Sequence, residues 1–82
     1  MNNKEFTDAV AKSKTLTEKP SNDILFKLYA LYKQASDGDV NVERPGGFDF
    51  KGVAKFGAWE QNKGMTKENA ANKYIELVNS LF

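Results

Sequence analysis

The chain has 82 residues and a net charge of +1, so one small domain is expected and the strong basic excess of a nucleic-acid binder is missing. It contains no Cys and no His, which excludes disulfides, thiolate metal sites and the commonest general base and metal ligand. Hydrophobic residues at 40% and aromatics at 12% describe a chain that folds rather than a disordered one.

Met1-Asn2-Asn3-Lys4-Glu5-Phe6 shows no apolar leader pattern, and no apolar run approaches bilayer length. A soluble, cytoplasmic protein without stable membrane insertion is the expectation. A first helix is read from about Lys4 to Lys14, with Phe6, Ala9, Val10 and Ser13 as its inner stripe. Thr15 to Pro20 is a connection. Ser21 then supplies an N-cap and Asp23 an acidic first turn for a second helix, about Asn22 to Ser36. Leu25, Leu28, Tyr32 and Ala35 mark its apolar stripe, and Ile24, Tyr29 and Leu31 widen it beyond the needs of one partner helix. Gly38 is placed to terminate this helix.

The stretch from Asp37 to Phe48 reads as a loop, broken most sharply at Pro45-Gly46-Gly47. Asp49 caps a third helix, about Phe50 to Asn62, and Gly57 inside it costs roughly 1 kcal/mol relative to Ala. Gly64 ends it. Thr66 caps a fourth helix, about Lys67 to Leu81, whose inner face is Ala70, Ala71, Tyr74, Ile75, Val78 and Leu81. No strand, repeat or low-complexity tract is evident, so the expected class is all-α, a four-helix bundle. The long second connection leaves room for its flanking helices to run parallel or antiparallel.

The segment Tyr29-Ala30-Leu31-Tyr32-Lys33-Gln34-Ala35 carries the most chemistry. On a helix, positions 29, 32 and 33 share one face. That face offers two rings, two hydroxyls and one cation, which is what a nucleotide phosphate ester requires. The plainer reading is that tyrosines at helical spacing in a small bundle are core, that single lysines are solvated surface, and that Trp59 is a core anchor.

Taken in order, Tyr-x-x-Tyr-Lys-Gln-Ala from Tyr29, Gly38-Asp39, Glu43-Arg44-Pro45-Gly46, Asp49-Phe50-Lys51-Gly52, Ala54-Lys55, Ala58-Trp59 and Lys63-Gly64 resemble the acyl-CoA-binding protein family. The resemblance runs from about Phe6 to Leu81. It implies an up-down-down-up helix order, a single acyl-CoA-binding domain over residues 1–82, and a ligand rather than a cofactor. By the same resemblance, Tyr29 and Lys33 contact a 3′-phosphate, Tyr32 stacks on adenine, and Lys55, Lys14 and Lys51 serve the head group. Tyr74 lies near the bound ester, and Phe6, Ala9, Leu25 and Leu28 line an acyl groove. Lys27, Gly47, Phe56 and Gly57 depart from the family's common residue types. Those departures bear on chain-length preference and stability rather than on the head group.

The function implied is non-enzymatic binding and transport of medium- to long-chain acyl-CoA, one ligand per monomer. Ser13, Ser21, Ser36 and Ser80 have no His partner and no metal-ligand set is present, so neither catalysis nor a metal is expected. A helical module gripping an amphipathic peptide is the alternative, since a broad apolar stripe suits it too. A helix-turn-helix binder of nucleic acid ranks below both, because the charge is near neutral and no Arg-rich helix is present.

Overall fold

The computed structural model describes residues 3–82 and folds them into four α-helices: α1 (Asn3–Ser13), α2 (Asn22–Asp37), α3 (Phe50–Glu60) and α4 (Lys67–Ser80). The reading of Met1 and Asn2 as part of a leaderless start lies outside the described residues. Three helices begin on the side-chain oxygens that the sequence nominated. The Ile24 N–H donates to Ser21 Oγ at 3.3 Å, the Gly52 N–H to Asp49 Oδ1 at 2.9 Å and the Asn69 N–H to Thr66 Oγ1 at 3.1 Å. Each satisfies a donor that the first helical turn leaves open. A Cβ at Gly52 would push aside the Asp49 carboxylate that caps the helix.

Three helices stop one to two residues before the expected ends: α1 at Ser13, α3 at Glu60 and α4 at Ser80. At α1 the Lys14 and Thr15 N–H groups bond back to Ala11 and Lys12, and after α3 the Asn62 and Lys63 N–H groups bond to Trp59 and Glu60. These three-residue bonds tighten the last turn and satisfy carbonyls that would otherwise have no intrahelical partner. Gly38 closes α2 with φ +82° and donates its N–H to the Gln34 carbonyl at 3.1 Å, a backbone region that side chains resist.

Close helix packing occurs for α1 on α4, α2 on α4 and α2 on α3, so α2 and α4 are the central pair, with α1 and α3 flanking them. Ala9, Leu28, Tyr74 and Val78 form one buried cluster, and Ala35, Ala70 and Ala71 form another. The second consists of small side chains, which bring α2 and α4 together at close range. Burying Leu28 or Val78 stabilises by roughly 1.5–3 kcal/mol each. Trp59, 3% exposed, donates its indole N–H to the Gly38 carbonyl at 2.9 Å and pins α3 to the end of α2. It is the core anchor that its residue type suggested.

Gln34 is fully buried and ties three segments together. Its Nε2 donates to Asp39 Oδ1 at 2.9 Å and to the Met65 carbonyl at 2.8 Å. Asp39 also accepts the Gly64 N–H at 2.8 Å. The loop after α2 is thereby fastened to the turn before α4. The Cα atoms span 35 × 29 × 15 Å, a slab about two helix layers deep at helix separations of about 8–10 Å. One face of α2 is therefore left without a covering helix. Among the described residues, no helix is long and apolar enough to cross a membrane.

Candidate functional site

The uncovered face of α2 forms one wall of an open cleft of about 580 Å³. Leu25, Leu28, Tyr29 and Tyr32 come from α2, Tyr74 from α4 and Ser13 from the end of α1. Residues 16–20 of the connection between α1 and α2 form the opposite side. The lining is mixed in the way a ligand cleft requires: aliphatic floor, aromatic walls and polar tips.

Tyr32 and Tyr74 form part of the aromatic wall, with Phe6 of α1 packed behind them. Phe6 lies 5.9 Å from Tyr32 with planes 22° apart, and 5.2 Å from Tyr74 in an edge-on contact. Tyr32 and Tyr74 are 6.3 Å apart and tilted. Such pairs contribute about 0.5–1.5 kcal/mol beyond area burial. Tyr74 is buried, and its hydroxyl donates to Ser13 Oγ at 3.3 Å, which in turn donates to the Val10 carbonyl at 2.7 Å. Tyr32 differs: it packs on this wall yet remains 40% exposed, so one part of the ring is free for a ligand.

Cations stand over two other rings. The Lys55 ammonium on α3 lies 5.2 Å from the Tyr29 ring centre, which brings α3 to the lip of the cleft. The Lys33 ammonium lies 5.0 Å from the Trp59 ring centre and forms an ion pair with Asp37. The hydrogen bond that Lys33 donates to the Asp37 carboxylate holds the Lys33 pKa above the ordinary lysine value, despite some desolvation, and Tyr29 and Tyr32 add smaller electrostatic support. Asp39 sits outside the cleft, and the Gly64 N–H, the Gln34 amide and nearby Lys63 hold its carboxyl below the usual range.

The structure thus brings Tyr29, Tyr32, Tyr74, Leu25, Leu28 and Lys55 to one cleft, with Lys33 on the next turn of α2. Lys14 and Lys51 are exposed, one just past α1 and the other in the first turn of α3, and neither is among the cleft's lining side chains. Phe6 and Ala9 lie behind the wall: Phe6 is half-buried against the two tyrosines, and Ala9 is in the core with Leu28, Tyr74 and Val78.

Two features escaped the sequence reading. The connecting residues 16–20 read only as a link, although they line the cleft. Asp37 read as the start of a loop, although its spacing of four from Lys33 is the signal for a helical ion pair.

Comparison with known proteins bears on this cleft. The family profile described as "Acyl CoA binding protein" matches residues 3–78. Acyl-CoA-binding protein homolog 1 of Caenorhabditis elegans is 51% identical over 76 residues, covering 93% of this chain and 88% of that protein. Enoyl-CoA delta isomerase 2 of Homo sapiens is 42% identical over 78 residues, which is 95% of this chain and 20% of that enzyme. The crystal structure of Oryza sativa Acyl-CoA-Binding Protein 2 superposes with a TM-score of 0.92 at 42% identity, covering 96% of this chain and 88% of the other. Profile, relative and structure agree over nearly the whole chain, and the four-helix architecture agrees with them: this chain belongs to the acyl-CoA-binding protein family.

Proposed function

We propose that this protein binds and carries medium- to long-chain acyl-CoA esters without transforming them, one ligand per monomer, and so buffers their free concentration in the cytoplasm. The whole chain acts as a single binding domain, and it needs no cofactor. The observation that carries this reading is the cleft itself: Leu25 and Leu28 lie beside Tyr29 and Tyr32, and the Lys55 ammonium sits over Tyr29. An acyl-CoA presents the complementary groups. Its phosphates take lysine and hydroxyl donors, its adenine takes an aromatic face, and its tail takes an apolar trough.

Magnitudes divide the work between the two ends. A buried methylene is worth roughly 0.8 kcal/mol, so twelve supply on the order of 10 kcal/mol before entropic losses. That compares with about −12.3 kcal/mol for a nanomolar complex. The tail therefore dominates affinity, and the head group sets specificity. In this reading Tyr29, Lys33 and Lys55 hold phosphate, Tyr32 stacks on the adenine, and exposed Lys14 and Lys51 engage the head group once it is seated. Tyr74 closes the wall behind the ester, and Phe6 and Ala9 support the groove from the core.

Native mass spectrometry with palmitoyl-CoA, free CoA and palmitate tests the proposal. One bound palmitoyl-CoA per chain, with little retention of the other two, is the expected result. Equal retention of palmitate and palmitoyl-CoA would remove the head group from the recognition, and failure to bind any of the three would leave the cleft to another class of ligand.

A further inference from the structure

We propose that Asp37 sets the affinity and phosphate selectivity of this site by occupying the Lys33 ammonium, so that an incoming phosphate has to displace an internal carboxylate. This rests on the reading of Lys33 as a phosphate-binding lysine.

The observation is the ion pair on the last turns of α2, with side-chain exposures of 28% for Lys33 and 40% for Asp37. The pair contributes little to the helix that carries it. A lysine four residues before an acid is the weaker of the two orders for a helical pair. Asp37 is also the last residue of α2, and the last turn has no basic residue to complement it. The negative end of the helix dipole disfavours a carboxylate there. Local electrostatics thus argue against an acid at this position, and the ammonium of Lys33 is what offsets it.

Lys33 is held from two sides, by the Asp37 carboxylate and by the Trp59 ring 5.0 Å away. Positions 29, 33 and 37 form one stripe of α2, four residues apart. Tyr29 on the cleft side of that stripe already faces the Lys55 ammonium. A rotamer change along the flexible lysine stem is enough to carry the Lys33 charge from Asp37 toward Tyr29. A phosphomonoester carrying a charge of about −1.5 to −2 attracts that ammonium more strongly than a single carboxylate does. A singly charged or neutral group does not. Asp37 therefore lowers affinity modestly for a ligand whose terminal phosphate has to take Lys33 from it, and leaves a ligand without that phosphate unaffected.

Titration calorimetry on the full chain distinguishes this from alternatives. The proteins are wild type, Asp37→Asn, Lys33→Ala and the double variant; the ligands are palmitoyl-CoA and its 3′-dephospho analogue. Asp37→Asn is expected to tighten palmitoyl-CoA by about two- to fivefold, the scale of an exposed ion pair. It is expected to leave the dephospho ligand unchanged and to have no effect in the Lys33→Ala background. Equal tightening of both ligands, or tightening that survives Lys33→Ala, would overturn the proposal in favour of a general field effect. No tightening, in a protein where Lys33→Ala does weaken palmitoyl-CoA selectively, would overturn it and leave the site reading intact. If Lys33→Ala weakens both ligands alike, the site reading and the proposal fail together.

Discussion

Truncating Tyr32 separates the two jobs its ring has in this structure. The ring packs against Phe6 at 5.9 Å and Tyr74 at 6.3 Å, yet it is 40% exposed in the cleft. A fully buried aromatic changed to Ala loses about 3–5 kcal/mol. Scaled to the covered part of this ring, Tyr32→Ala is expected to lower folding stability by about 2–3 kcal/mol. A domain of this length has only about 4–12 kcal/mol in total. The variant therefore folds, with a melting temperature lowered by roughly 10–20 °C. Separately, loss of a stacking face is expected to weaken acyl-CoA by about 1–3 kcal/mol. Tyr32→Phe keeps the ring and is expected to stay near wild type in both measurements. Urea unfolding followed by circular dichroism, without ligand, gives the first quantity. Calorimetry with palmitoyl-CoA, corrected for the folded fraction, gives the second. A stability loss of the expected size with unchanged affinity in the folded fraction would refute the stacking role and leave Tyr32 as part of the wall only.

Lys55→Ala should weaken palmitoyl-CoA by roughly 1.5–3 kcal/mol in calorimetry, because it removes a charge-assisted contact, and should leave the unfolding curve close to wild type, since the side chain is exposed. Gln34→Met keeps the volume but leaves Asp39 and the Met65 carbonyl without their shared donor; urea unfolding should show a loss of about 2–3 kcal/mol, and a loss under 0.5 kcal/mol would show that water replaces the amide. Gly57→Ala should stabilise by roughly 0.5–1 kcal/mol, because α3 is regular there and a Cβ meets nothing within 4 Å. The folded Asp39 carboxyl titrates below its ordinary 3.8, so its contribution is fully present above that value and is lost as pH falls through the folded pKa. The gap in urea midpoint between wild type and Asp39→Asn should accordingly be constant near neutral pH and close below about pH 4; a gap that widens on acidification contradicts the assignment.

The sequence alone determined the helices and their starts. Ser21, Asp49 and Thr66 announce themselves because a capping oxygen acts within three residues, and the stripes of α1, α2 and α4 follow from a period that local geometry imposes. The aromatic and lysine pattern of α2 was legible for the same reason: Tyr29, Tyr32 and Lys33 share a face on any helix. What only the tertiary structure decided is which groups from other segments meet that face. Nothing local says that Lys55 settles over Tyr29, that Tyr74 reaches Ser13, or that residues 16–20 wall the cleft. Gln34 is the clearest case. Its residue type and spacing say nothing of burial, and it becomes a fully buried clamp only because Asp39 and Met65 arrive from two different loops to accept its hydrogens. Exposure worked the other way for Phe48 and Phe50, apolar by type yet 95% and 76% exposed at the start of α3. Burial is a property of which elements pack together, and local periodicity holds no information about the partner that covers a face or leaves it open.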